Sequence, residues 1–317
     1  MKKIILSEVQ LFADNVQYEV RFLSYGNRLI NYLSDRPKKR ALERLLTDKI
    51  DIIVCCRATA ILLATMDCKN VKMIQLTSTG YDGVPIEKFR EKGITVCNVA
   101  GVYGVSIAET VIYALLSVCK RIRRDPKNHR PKLFRKYSEI TELAQKRILV
   151  MGTGNIGTEI ANRVKAFGCE IDGYDAYCKD KEPYTEITNT RQQLLERLKG
   201  YDYIISTIPA LEETQGFCDR EFFSQMGENA WFINVGRAAT VDENAIYAAL
   251  KKKEIGGAIF DVVELLPCVL FNKFRRLKNT FVLPGIATAS RECIGRVKDR
   301  IEKNIKAFVD GNGQDKL

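Results

Sequence analysis

Short apolar runs alternate along this chain with stretches of helical period. In the first hundred residues the runs are Lys3–Leu6, Asp51–Cys55, Val71–Leu76 and Ile94–Asn98. Further on they are Arg147–Met151, Glu170–Tyr174, Tyr201–Ile205, Ala230–Asn234, Gly257–Phe260 and Thr280–Leu283. Each is as long as a buried strand. Between them lie helix-like stretches such as Pro37–Thr47 and Pro85–Lys92, and a long apolar helix at Ser106–Cys119. A last helix is expected at Arg291–Asp310, where Ile294, Val297, Ile301, Ile305 and Phe308 recur at helical spacing. Strands that alternate with helices predict βαβ units and parallel sheets. The expectation is an α/β chain of two doubly wound parallel-sheet domains, residues 1–101 with 286–317 and residues 102–285. Gly101 and Gly104 mark the first crossing, and Pro284-Gly285 the second.

The bulk numbers agree with two domains. The chain has 317 residues, 46% hydrophobic and 28% charged, enough for two buried cores and unlike a disordered chain. No run of apolar residues is long enough to span a membrane. The opening Met1-Lys2-Lys3-Ile4-Ile5-Leu6 stops at Ser7-Glu8, too short for a signal-peptide core, and reads as a first strand. Ten cysteines are scattered without a Cys-x-x-Cys pair, which points to reduced thiols in a cytoplasmic protein and to no metal site.

The formal net charge of +11 is densest between Lys120 and Lys136, where Arg121, Arg123, Arg124, Lys127, Arg130, Lys132 and Arg135 crowd together. Two readings stand: a polyanion patch, or a solvated face whose charge draws an anionic cofactor and substrate. Only Phe134 and Tyr137 could stack bases there, so the solvated face is preferred to nucleic-acid binding.

Chemistry enters at Gly152-x-Gly154-x-x-Gly157. The strand Arg147–Met151 runs straight into it and a helical pattern follows, so the triplet has the required context on both sides. Gly152 permits a tight turn, Gly154 lets the backbone approach a pyrophosphate, and Gly157 lets helix and strand pack closely. The helix beginning at Asn155 and Ile156 presents free N–H groups to phosphate. The next strand ends at Asp175, eighteen residues after Gly157. A carboxylate there accepts from ribose hydroxyls and repels a 2′-phosphate, so NAD is expected rather than NADP.

At this point the chain resembles the D-isomer-specific 2-hydroxyacid dehydrogenases over nearly its whole length. Thr77-Ser-Thr-Gly80-Tyr-Asp82 is similar to the family's substrate-carboxylate loop, and Asn98 to Glu109 to its hinge into the cofactor domain. Thr207-Ile208-Pro209-Ala-Leu-Glu-Glu-Thr214-Gln-Gly216 resembles the loop behind the nicotinamide. Phe232-Ile-Asn234-Val235-Gly236-Arg237 resembles the arginine strand, and Gly257-Ala-Ile-Phe-Asp261 the strand after it. The resemblance implies a Rossmann NAD-binding domain inserted into a flavodoxin-like substrate domain, and a homodimer through Ser106–Cys119 and the basic segment after it. It implies hydride transfer between NAD(H) and a 2-hydroxy or 2-keto acid, whose carboxylate the backbone at Ser78, Thr79 and Gly80 would hold. Arg237 would bind that carboxylate and polarise the C2 oxygen, and Asp261 would face the nicotinamide carboxamide.

The family also uses a histidine as acid/base and a glutamate that raises its pKa. Here the glutamate position, five residues after Asp261, is Leu266, and Pro284 is followed by Gly285 where the histidine stands. The single histidine, His129, lies in the basic segment and reads as an exposed loop residue. Tyr103 and Tyr81 are the phenols near the expected substrate. Each is also a candidate packing residue, and an unassisted phenol is a poor base at neutral pH. Arg291 and Glu292 follow the Gly285 loop, while Cys268 and Cys293 read as structural thiols. Two functions from different classes therefore remain: an oxidoreductase with altered or impaired catalysis, and a non-catalytic NAD-binding sensor or partner subunit.

Overall fold

A computed structural model describes residues 3–7, 18–22, 36–46, 49–121, 140–179, 182–264, 273–283, 285–311 and 317. The basic segment beyond Arg121, with His129, lies outside the described residues, as do Leu266, Pro267, Cys268 and Pro284. The chain divides into two compact units, Met1–Val102 with Ser290–Leu317, and Tyr103–Ala289. Its described helices are α1 (Arg36–Leu45), α2 (Arg57–Leu63), α3 (Ile86–Glu91), α4 (Gly104–Cys119), α5 (Asn155–Lys165), α6 (Arg191–Arg197), α7 (Arg220–Ser224), α8 (Glu243–Lys252) and α9 (Arg291–Val309).

The first unit holds a parallel sheet of β1 (Lys3–Ser7), β2 (Tyr18–Phe22), β3 (Ile52–Cys55), β4 (Met73–Leu76) and β5 (Thr95–Cys97), ordered β2-β1-β3-β4-β5. Strands β3 and β4 are buried at every position, which is why they read as unbroken apolar runs. The sequence gives no such run at β2: Glu19 and Arg21 interrupt it, pair with each other at 2.9 Å, and are tolerated because β2 is an edge.

Helix α9 corrects the expected stripe. Ile294 is 71% exposed, and the buried residues are Cys293, Ile301, Asn304 and Ile305. The polar member, Asn304, is satisfied on both N–H bonds. It donates to Gln75 Oε1 at 3.0 Å and to the Asn98 carbonyl at 2.9 Å, pinning α9 to the end of β4 and to the chain after β5.

The second unit carries seven parallel strands: β6 (Arg147–Met151), β7 (Glu170–Tyr174), β8 (Ile187–Thr188), β9 (Tyr203–Ser206), β10 (Trp231–Asn234), β11 (Gly257–Phe260) and β12 (Thr280–Val282). Their order is β12-β11-β10-β9-β6-β7-β8. The chain runs outward from β6 to β8, then returns to β9 on the other side of β6. That reversal opens a crevice at the carboxyl ends of β6 and β9. Alternate residues of β6 serve two cores. Ile148 and Val150 face Val111, Leu115, Ile160 and Val164 of α4 and α5, while Leu149 and Met151 face the cluster containing Leu194, Phe222 and Ile246 of α6 to α8. No described helix is long and apolar enough to cross a membrane.

Candidate dinucleotide site

The glycine loop sits at the strand reversal. Gly152 has φ +91°, a left-handed backbone, and a Cβ there would come within 2.7 Å of the Thr207 hydroxyl. A Cβ at Gly157 would lie 2.0 Å from the Gly152 carbonyl oxygen, so only glycine allows α5 to start this close to β6. Gly154 differs. Its backbone is extended (φ −67°, ψ −164°), it caps α5, and a Cβ there would meet nothing within 4 Å. The first bond of α5 runs from Thr158 N to Gly154 O at 2.9 Å. The N–H groups of Asn155, Ile156 and Gly157 donate to no acceptor among the described residues. Free donors at a helix N-terminus below open space fit a dinucleotide pyrophosphate.

The loop is tied from both sides. Thr207 donates its hydroxyl to the Met151 and Gly152 carbonyls at 3.0 and 2.9 Å. Thr214 folds the same segment on itself, giving its hydroxyl to Pro209 O at 2.6 Å and accepting from Leu211 N at 2.8 Å. Ile208 is buried, and its carbonyl would stand 2.7 Å from a Cβ at Gly236, so the loops after β9 and β10 pack backbone to backbone.

Asp175 stands at the end of β7, and its carboxylate already has four partners. One oxygen accepts from Thr153 N and the Thr153 hydroxyl at 2.9 and 3.0 Å, the other from Tyr177 N and Cys178 N at 3.0 and 3.1 Å. A carboxylate offers about four such places, so a ribose hydroxyl would share or replace one. Asp175 thus also braces the glycine loop through Thr153. Burial pushes its pKa up, but the backbone donors Thr153, Tyr177 and Cys178 and the Thr153 hydroxyl outweigh it, and the net value lies below the usual carboxylate range. Its charged form therefore contributes stability above the ordinary carboxylate pKa, and that contribution is lost as pH falls through the lowered value. Asp175→Asn is expected to lose about 1–3 kcal/mol at pH 7, since an amide N–H would face two donors. The deficit shrinks toward about pH 3. Thermal melts at both pH values check this, and an equal deficit at both would contradict it.

At the carboxyl end of β10, Asn234 bends the chain. Its side chain accepts from Gly236 N at 3.0 Å and donates to the Arg237 carbonyl at 3.0 Å, and Val235 is buried between. Arg237 leaves the strand half-buried, its guanidinium touching the Gly236 carbonyl at 3.0 Å. Just after β11, Asp261 is buried and accepts from the backbone N–H of Ala287 at 3.1 Å and from that of Ile286. Burial raises its pKa, and those two bonds offset part of the rise. Gly285 donates to the Asp261 carbonyl at 3.1 Å with φ +68°. Tyr103 caps α4 and packs, half-buried, on the core face of that helix.

In the first unit the segment after β4 is held at both ends. Thr77 N donates to Cys55 O at 3.0 Å, the Thr79 hydroxyl to Val99 O at 2.9 Å, and Asn98 Nδ2 to Thr79 O at 2.7 Å. Arg57 pairs with Asp82 at 2.6 Å. The N–H groups of Ser78, Thr79 and Gly80 donate to nothing among the described residues, a row of free donors suited to a carboxylate. Tyr81 is 45% exposed, and Arg291 and Glu292 are exposed at the start of α9. Cys293 is buried, which pushes its thiol up and disfavours the thiolate. The nine described cysteines are free thiols.

Sequence reasoning missed Asn304, and quoted Asn98 and Asn234 only within longer motifs without a role of their own. An asparagine at a strand end or on a helix gives no motif signal by itself.

Comparisons with known proteins agree with the fold. Residues 112–287 match the family profile described as D-isomer specific 2-hydroxyacid dehydrogenase, NAD binding domain. The chain is 28% identical to a hydroxypyruvate reductase of Thermotoga maritima over 92% of this chain and 96% of that one. It is 31% identical to a glyoxylate reductase of Thermococcus litoralis, covering 86% of this chain and 81% of the relative. Among solved structures, the D-mandelate dehydrogenase of Rhodotorula graminis has the same fold, with a TM-score of 0.81 at 19% identity over 97% of this chain and 94% of that one.

Proposed function

This chain belongs to the D-isomer-specific 2-hydroxyacid dehydrogenase family, and from that premise we propose that it binds NAD(H) and a 2-hydroxy or 2-keto acid but transfers hydride between them slowly. The observation that supports this reading is Gly285. The resemblance puts it at the family's histidine position, and its backbone has a left-handed φ of +68°.

Bound NADH would supply the hydride. The chain's part is to bind and orient. The free N–H groups of Asn155, Ile156 and Gly157 would take the pyrophosphate, with Gly154 leaving room for it. Asp175 would favour NAD over NADP. The loops at Thr207–Thr214 and Val235–Gly236, with Asp261, would bound the nicotinamide end. The N–H groups of Ser78, Thr79 and Gly80, together with Arg237, would hold the acid, and Arg237 would polarise its C2 oxygen. No histidine then exchanges the proton. The resemblance would put the phenols of Tyr81 and Tyr103 near the acid, although the packing of Tyr103 on α4 supports a structural role better.

Gly285 also favours a second reading, a non-catalytic NAD-binding sensor or partner subunit. A panel of 2-keto acids including pyruvate and hydroxypyruvate, assayed beside NADH binding, separates the two. Ordinary turnover with any member contradicts slowed catalysis, and binding without turnover favours the sensor.

The free thiols support a reducing, cytoplasmic setting. The resemblance implies a homodimer through α4, whose exposed large apolar side chain among the described residues is Tyr113, at 63%. Light scattering is expected to give twice the chain mass, and Tyr113→Glu to shift it toward the monomer. A monomeric wild type would contradict the pairing.

A further inference from the structure

A cavity of about 730 Å³ opens at the opposite end of the larger sheet, where its strands begin. That volume is typical of small-molecule sites. Lys146 precedes β6, while Tyr203 and Trp231 open β9 and β10, so the cavity touches the same strands whose far ends lead to the glycine loop, Thr207 and Arg237.

The wall is aromatic. Trp231 is the chain's single tryptophan and is half-buried. It lies over Gly257, where a Cβ would come within 2.5 Å of the indole, so the missing side chain makes its seat. The Phe281 ring stands 6.2 Å away at 43°. These rings offer a flat ligand a stacking surface.

The wall is also positive. Asp202 is the acid among the described lining residues, and both its oxygens are engaged, one by Lys146 Nζ at 2.9 Å and one by Arg147 N at 3.0 Å. Lys278 has no ion-pair partner among the described residues, and Arg121 adds a further cation. Rings with surplus positive charge favour an aromatic anion over a neutral or cationic ring.

We propose that this cavity is a second ligand site, which takes a flat aromatic ring bearing a carboxylate or phosphate, stacked on Trp231 and Phe281 with its charge toward Lys278. The site does not depend on the dehydrogenase reading. The five residues of β6 span roughly 17 Å, so both ligands bind at once.

Trp231 emission reports the test, with benzoate and phenyl phosphate as probes and with neutral benzamide and ring-free acetate as controls. The two anionic probes distinguish a carboxylate ligand from a phosphate one. At least one gives a saturable change, benzamide binds at least about tenfold more weakly, and acetate gives none. Lys278→Glu, an exposed change, weakens the anion at least about tenfold and leaves benzamide unaltered. Calorimetry returns the same Kd with and without saturating NADH. No saturable response at millimolar probe would overturn the site. So would an equal response to benzamide or acetate, insensitivity to Lys278→Glu, or competition by NADH. Emission that changes with protein concentration alone would assign the cavity to a second copy of the chain and also overturn it.

Discussion

Gly154→Asp keeps or raises the melting temperature and lowers the affinity for NADH at least about 100-fold. The opposite signs follow from the geometry of one residue. Gly154 is the N-cap of α5, with an extended backbone that any residue adopts and nothing within 4 Å of a Cβ. Aspartate is a favoured cap and its charge suits the helix N-terminus, worth a few tenths to about 1 kcal/mol. The same carboxylate would stand where the proposed pyrophosphate would sit. Gly157→Ala contrasts with it. Its Cβ would lie 2.0 Å from the Gly152 carbonyl oxygen, so the loop must move. Overpacking of this kind costs about 1–3 kcal/mol, so both stability and NADH affinity fall. Thermal melts and NADH titrations of both variants check the pair. A Gly154→Asp protein that binds NADH as wild type does would place the pyrophosphate elsewhere.

The second large effect is a gain. Gly285→His combined with Leu266→Glu is expected to raise turnover of a 2-keto acid by about 10²–10⁴-fold, the usual contribution of a positioned general acid. Either change alone gains less, because the glutamate acts through the histidine. The backbone at Gly285 opposes the repair. At φ +68° a non-glycine residue is strained by about 1–2 kcal/mol, so the double variant is also expected to melt earlier. Initial rates with hydroxypyruvate measure the gain. A double variant no faster than wild type would mean that the substrate site has changed beyond this pair.

Much of this was legible in the sequence because both sheets are parallel and their inner strands are buried on both faces. Runs such as Arg147–Met151 and Gly257–Phe260 coincide with β6 and β11. Edges were less legible. Strand β2 carries Glu19 and Arg21 on a sheet border, and β8 is only two residues long. At the site, the glycine spacing gave the loop and its place at a strand end. The bonding of Asp175 was hidden, because the turn that aims Tyr177 N and Cys178 N at its carboxylate has no motif. The apolar stripe gave no sign of Asn304, which is buried because two acceptors in the core meet its amide. The resemblance put Gly285 at the family's histidine position. Its left-handed backbone, a property of the turn, required coordinates.

The most direct test follows one signal through two steps. NADH fluorescence is titrated to saturation with the wild-type protein, and hydroxypyruvate is then added to the complex. Saturable enhancement is expected, followed by loss of signal at about 0.1 s⁻¹ or slower, at least about 10²-fold below a common turnover rate. Absence of saturable binding, or decay at about 10 s⁻¹ or faster, would contradict a chain that keeps its cofactor site while lacking its acid/base pair.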